Sequence, residues 1–266
     1  MGLFDFLKKK DTVAQSAMVS PVSTATTTTT NSATTSTTST SKSNVIDMSK
    51  SAENLNKVLI NMSKTSKVDM SKHTARVALA MDYSGSMSNL FRKGSVQDVV
   101  TRLLPIALKF DDNGELESWL FSNGKERLKA VTANNYSNYV KNVMFKAKMS
   151  MGGTNYAPVL KDIVSHYKDI EPSTVPAFII FITDGDNWDT DDTNRIVKEL
   201  SNYNMFVQFV GIGHENFNYL RSLDDMKGRK HDNTGFIKVE DMNRMSDEEL
   251  YTKLLEQYKN WLNGKQ

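Results

Sequence analysis

The sequence predicts an α/β protein: a doubly wound, mostly parallel sheet with helices on both faces and one antiparallel edge strand. Three observations lead there. From Thr74 onward, short strand-like runs alternate with stretches of helical spacing. Ala177 to Thr183, Ala-Phe-Ile-Ile-Phe-Ile-Thr, is the most hydrophobic run in the chain and reads as a central strand covered on both faces. Ser122-Asn123-Gly124 joins Leu116 to Phe121 with Arg127 to Val131, an antiparallel hairpin at the sheet edge.

Residues 1–11 form a short amphipathic segment, with Leu3, Phe4, Phe6 and Leu7 ahead of Lys8-Lys9-Lys10. It is too short to hold a bilayer tightly, so contact with a membrane surface through it is weak. Phe6 also stands where a myristoylation signal wants Ser or Thr. Residues 12–45 are rich in Ser and Thr and read as a disordered linker, because small polar side chains bury too little area to offset ordering entropy. Residues 46–73 are a helical lead-in, with Leu55, Val58, Leu59 and Met62 at helical spacing. Residues 74–266 form the main domain.

Within that domain Arg76 to Met81 is a buried strand. Asn89 to Phe110 reads as one helix with an apolar stripe, and Pro105 is expected to kink it. Helices are also expected at Tyr136 to Phe145, Tyr156 to Tyr167, Thr193 to Tyr203 and Phe217 to Met226. Further strands are expected at Phe206 to Val210 and Phe236 to Val239. The last helix starts at a capping box, Ser246 with Glu249, and ends before Gly264.

The 266 residues carry a net charge of +2, which offers no field for nucleic acid. With Cys 0, disulfides and thiolate metal sites are excluded, and the composition fits a reducing compartment. No run approaches the roughly 20 apolar residues of a membrane span, and no secretory h-region is visible. A cytoplasmic protein is expected.

Three loops fall at strand tips: Asp82-Tyr83-Ser84-Gly85-Ser86, Gly152-Gly153-Thr154 and Thr183-Asp184-Gly185. Ligands of open α/β sheets bind at that end. The carboxylates of Asp82 and Asp184 and the hydroxyls of Ser84, Ser86 and Thr154 are all hard oxygen donors. Such a set suits Mg²⁺, Mn²⁺ or Ca²⁺ and disfavours Zn²⁺. Two acids neutralise a divalent ion only in part, so a carboxylate from a partner protein can enter an open position. Gly85, Gly152, Gly153 and Gly185 are expected to let the backbone turn sharply beside the ion.

These three loops, in this order, resemble the metal-ion-dependent adhesion site of a von Willebrand factor A domain. The resemblance runs from about Val77 to the C-terminus and is greatest to the bacterial and phage, TerF-like group tied to tellurium resistance and stress response. It implies that Ser84, Ser86 and Thr154 ligate a metal through their hydroxyls. It implies that Asp82 and Asp184 do so directly or through water. It also implies a protein-binding adaptor and not an enzyme. Asp186, with Asp189, Asp191 and Asp192, gives this chain an acidic rim, although Asp191 and Asp192 also suit a helix start.

Two other readings stay open: a metal-dependent, phosphatase-like hydrolase using the same ion, and a scaffold whose site is unused. A hydrolase needs a base or nucleophile near the metal. Ser84 lacks the nucleophile elbow, since Asp82 stands where its first Gly belongs. Gly211-Ile212-Gly213 lacks the third Gly of a dinucleotide fingerprint. His73, His166, His214 and His231 show no ligand spacing, and Lys227 to Lys230 reads as solvated surface.

Overall fold

The computed structural model describes residues 47–242 and 244–265; the segments at 1–11 and 12–45 lie outside the described residues. The chain enters through α1 (Met48–Ser63), capped by the Asp47 carboxylate, which accepts from the N–H groups of Ser49 and Lys50. Then follow β1 (Arg76–Asp82), α2 (Ser88–Arg92), α3 (Ser95–Phe110), β2 (Leu116–Phe121), β3 (Lys125–Val131), α4 (Tyr139–Asn142) and α5 (Ala157–Ser165). The remaining elements are β4 (Ala177–Thr183), α6 (Thr190–Leu200), β5 (Met205–Ile212), α7 (Asn218–Asp224), β6 (Thr234–Val239) and α8 (Asp247–Gly264).

The six strands pair in the order β3-β2-β1-β4-β5-β6. Every neighbour is parallel except β2 with β3, the antiparallel edge. Period-two alternation divides the sheet. Ala78, Ala80, Trp119, Phe121, Ile179, Phe181, Val207 and Phe209 pack with side chains of α5, α6 and α7. The alternate residues face α3 and α8; Phe178 stacks on Tyr258 of α8 with ring centroids 4.5 Å apart. The chain leaves β1 toward β2 and β3, then crosses back to place β4 on the other side of β1. The carboxyl ends of β1 and β4 therefore flank the topological switch point, the place where open α/β sheets bind ligands.

α1 is part of this packing. Leu55, Val58, Leu59 and Met62 are buried against α3 and α8. At the junction of the three helices Arg102 is buried and donates through Nε to Asp247 (2.6 Å), and the Ser51 hydroxyl donates to the same carboxylate (2.6 Å).

Several expected helices differ. The stretch from Asn89 to Phe110 is two helices, because Gly94 adopts a left-handed φ of 83° between them. α3 then runs unbroken through Pro105. Tyr136 to Phe145 breaks into single turns around the four-residue α4. Gln97 of α3 clamps that segment, donating to the Tyr136 carbonyl and accepting from the Val140 N–H. The helix expected to reach Tyr167 widens at its end into a π-turn, His166–Ile170, with the Glu171 N–H bonded to the His166 carbonyl. α8 continues through Gly264 instead of stopping before it. Arg229 is not solvated surface: its side chain is buried and donates to the carbonyls of Asp224 and Met226 and to Asp232. No helix among the described residues is long and apolar enough to cross a membrane.

Candidate metal centre

Asp82 is the last residue of β1 and is fully buried, at 0% exposure. One carboxylate oxygen accepts the Ser84 N–H (2.7 Å) and the other accepts the Thr183 hydroxyl (2.6 Å). Beyond it the chain turns outward. Ser84 is 2% exposed, while Ser86 is open to solvent. The Ser84 and Ser86 hydroxyl oxygens lie 2.9 Å apart, and Ser86 donates to Asp184 Oδ1 at 2.8 Å. Asp82, Ser84, Ser86 and Asp184 thus form a line of oxygens running from the core to the surface.

Thr154 is 8% exposed, and its loop is tied to the β1 turn through the backbone. Its loop pairs with the β1 turn by a parallel bridge between Ser84 and Gly152, and the Gly85 N–H donates to the Gly152 carbonyl at 2.9 Å. The other flank is joined to the β4 loop in three places. The Trp188 N–H donates to the Thr154 carbonyl (3.0 Å). The Asp189 carboxylate accepts the N–H groups of Tyr156 (2.9 Å) and Ala157 (2.8 Å). The Tyr156 hydroxyl donates to the Gly185 carbonyl, leaving the Thr183 hydroxyl free to serve Asp82.

Two expectations need correction here. Asp189 is no rim acid: it caps α5 from a separate loop, where the exposed N–H groups and the helix dipole favour a carboxylate. The glycines do not serve sharp turning, since Gly85, Gly152, Gly153 and Gly185 are not among the positive-φ residues. Gly152 and Gly153 are needed for space. A Cβ at Gly152 would stand 2.9 Å from the Asn123 amide, and one at Gly153 would stand 2.6 Å from Asn123 Oδ1 and 2.8 Å from the Trp188 ring. The structure gives no reason for glycine at 85 or 185.

Burial pushes the Asp82 carboxyl up to about 6, against the hydrogen bonds from Thr183 and Ser84 that favour its charge. Burial also raises Asp184, with Glu215 adding to the effect.

The donor set fits a hard divalent ion. Among the described residues no group of three or more His, Cys, Asp and Glu side chains is arranged to hold a metal. Here neutral hydroxyls supply most of the oxygens. Octahedral Mg²⁺, with ligands at about 2.0–2.1 Å, spaces neighbouring oxygens about 2.9 Å apart. The contacts of Ser84 with Ser86 and of Ser86 with Asp184 have that spacing.

Residue-type reasoning named five oxygen donors, of which hydrogen bonds join Ser84, Ser86 and Asp184, but not what orients Asp82 or ties the loops together. Thr183 was visible within Thr-Asp-Gly, whereas the targets of Tyr156 and Asp189 lie on other loops and leave no local signal.

Residues 74–266 match the family described as "vWA-TerF-like: vWA found in TerF C terminus". An uncharacterised protein of Bacillus subtilis, YcbR, is 42% identical over 198 residues, covering 74% of this chain and 81% of its own. Among solved structures, the SpRpn10 VWA domain is 14% identical with a TM-score of 0.51, over 69% of this chain and 95% of that one. The manganese-loaded TRAP protein of Plasmodium vivax is 16% identical with a TM-score of 0.51, over 71% of this chain and 74% of that one. At those identities the likeness to both structures is one of fold. The family match and the B. subtilis relative go further: this chain belongs to the TerF-like von Willebrand factor A domains.

Proposed function

We propose that the strand-tip cluster holds a divalent cation, Mg²⁺ or in its place Mn²⁺ or Ca²⁺, and that the ion recruits a carboxylate from a protein partner. Asp82, Ser84, Ser86, Thr154 and Asp184 would hold it. The bound ion supplies a positive centre with exchangeable positions. The rest is done by this chain. Thr183 fixes the Asp82 carboxylate, and Trp188, Asp189 and Tyr156 lock the Thr154 loop to the Asp184 loop. The observation that carries the reading is the oxygen line itself, spaced at 2.9 and 2.8 Å and opening from a buried Asp82 to an exposed Ser86. The buried Asp82 and exposed Ser86 that would hold the ion leave one side of the cluster open to solvent. That geometry suits capture of a partner group, so the domain is read as a binding module and not an enzyme. Its likeness to the TerF-like group supports reading this module as part of a tellurium-resistance or stress-response system.

Titration calorimetry with Mg²⁺ and Mn²⁺ tests the site. Wild type takes up the ion and Asp82→Ala does not; equal uptake by both would sink the assignment. Affinity capture in Mg²⁺ against chelator tests the bridge, and a partner retained equally in chelator counts against it.

A further inference from the structure

Four large apolar side chains are exposed among the described residues: Ile60, Phe145, Ile170 and Trp188. Scattered single residues of this kind are ordinary. Ile60 lies on α1, and Ile170 closes the π-turn that precedes β4, at the sheet end opposite the strand tips. Phe145 reaches the β1 turn only through Phe91, which packs edge-on against Tyr83. Trp188 differs from all three, because it sits directly on the candidate metal loops.

Trp188 is 78% exposed, yet its place is fixed. Its N–H is bonded to the Thr154 carbonyl. Its ring edge covers Gly153, so closely that a Cβ there would stand 2.8 Å from Cζ3 and 2.9 Å from Cη2. Its neighbours are pinned as well: Asn187 is buried and donates to Asp189 and Thr193, and Asp189 caps α5. The ring therefore rests one residue, about 3.8 Å of chain, from Thr154. An exposed aromatic whose backbone is already ordered loses little further freedom on binding. Aromatics of that kind are the residues that dominate protein interfaces. The same loop carries exposed Asp186, two residues away, which opposes a second acid on the partner.

We infer that Trp188 is the apolar half of the recognition surface, and that the partner presents one carboxylate immediately beside an apolar side chain. The carboxylate goes to the ion and the apolar group packs on the indole. This rests on the metal-bridging reading above and adds to it the chemistry of the partner.

Short peptides on the full chain test it. The probes are N-acetyl-Leu-Asp-amide, N-acetyl-Asp-Leu-amide, N-acetyl-Gly-Asp-amide and N-acetyl-Leu-Asn-amide, titrated calorimetrically in Mg²⁺ after Mg²⁺ uptake itself has been measured. One of the two Leu-containing acids binds about tenfold tighter than Gly-Asp, the gain from covering a Leu side chain. Leu-Asn does not bind. The tenfold preference falls to about one in Trp188→Ala and persists in Trp188→Phe, each compared at a Mg²⁺ concentration that saturates that variant by its own uptake curve. A second readout is independent of affinity. Trp119 and Trp261 are buried, so acrylamide quenching reports Trp188 and drops when the Leu peptide binds. Normal Mg²⁺ uptake with no Leu preference, with a preference surviving in Trp188→Ala, or with no peptide binding up to about 10 mM overturns the inference and leaves the metal site standing. A wild type that takes up no Mg²⁺ overturns the metal reading itself.

Discussion

Deleting residues 1–73 leaves the stretch that matches the family, yet it removes α1, and the remainder is expected to lose its cooperative fold. α1 inserts Leu55, Val58, Leu59 and Met62 between α3 and α8, with Leu55 and Leu59 wholly buried. At about 1.5–3 kcal/mol for each fully buried apolar side chain, these four contribute roughly 6–12 kcal/mol. That is an upper figure, because a denatured chain is already partly collapsed. It matches the whole stability of an ordinary domain, about 5–15 kcal/mol. Deletion also uncovers the buried Arg102–Asp247 pair and removes the Ser51 hydroxyl from that carboxylate. Point changes dissect the effect. Leu55→Ala is expected to cost about 2–5 kcal/mol, since it opens a cavity among packed helices. For a domain of this size that lowers Tm by roughly 5–15 °C. Urea unfolding followed by circular dichroism and tryptophan emission measures both. A 74–266 fragment that unfolds cooperatively within about 2 kcal/mol of the full chain would refute the reasoning. So would a Leu55→Ala penalty below about 1 kcal/mol.

Three further outcomes are expected. Asp189→Ala removes a carboxylate that holds two N–H groups at the start of α5, so it should cost about 1–3 kcal/mol and weaken Mg²⁺ uptake; melting and calorimetry on one sample show both. Gly153→Ala forces Asn123 or the Trp188 ring to move, which should change acrylamide quenching and lower Mg²⁺ affinity, whereas Gly185→Ala meets open space and should leave both unaltered. Burial lowers His73 from 6.5 to about 4, with its Nε2 2.8 Å from the Tyr258 hydroxyl. The unfolded chain takes up that proton first, so the stability this group contributes is present above pH 6.5 and is lost as pH falls toward 4. The loss should be about 1–2 kcal/mol, discounted because the ring is part exposed. Asp111, which burial raises to about 6, acts in the opposite sense over an overlapping range. The difference in Tm between wild type and His73→Gln across pH isolates the histidine, and a flat difference would contradict the assignment.

What could be read beforehand follows from how local each feature is. β4 was legible because a strand covered on both faces has no choice but a continuous apolar run. Its neighbour β1 was legible for the same reason, and so was the position of Asp82 at its tip. The break at Gly94 was readable too, since a glycine between Lys93 and Ser95 is an ordinary helix stop, although the apolar stripe begins only after it. The fragmentation of Tyr136 to Phe145 was not readable, because the clamp comes from Gln97, 43 residues before Val140. Asp189 illustrates the same limit. Among Asp186, Asp191 and Asp192 it reads as one more acid of the rim, but its carboxylate serves α5, 32 and 33 residues earlier. α1 was visible as an amphipathic stretch, although nothing within it names α3 and α8 as its partners.

The hydrogen bond from Thr183 to Asp82 joins residues 101 positions apart. During synthesis at about 5–20 residues per second, Asp82 emerges roughly 5–20 s before the strand that will enclose it. Through that interval it is an ordinary solvated carboxylate, and the pairing of β1 with β4 does not exist. An ion drawn to the finished cluster would therefore have nothing to nucleate in the growing chain. Its hold would register in how slowly the completed sheet comes apart, not in how quickly it forms. Occupancy of the strand tips would then mark a chain whose fourth strand has already taken its place beside the first.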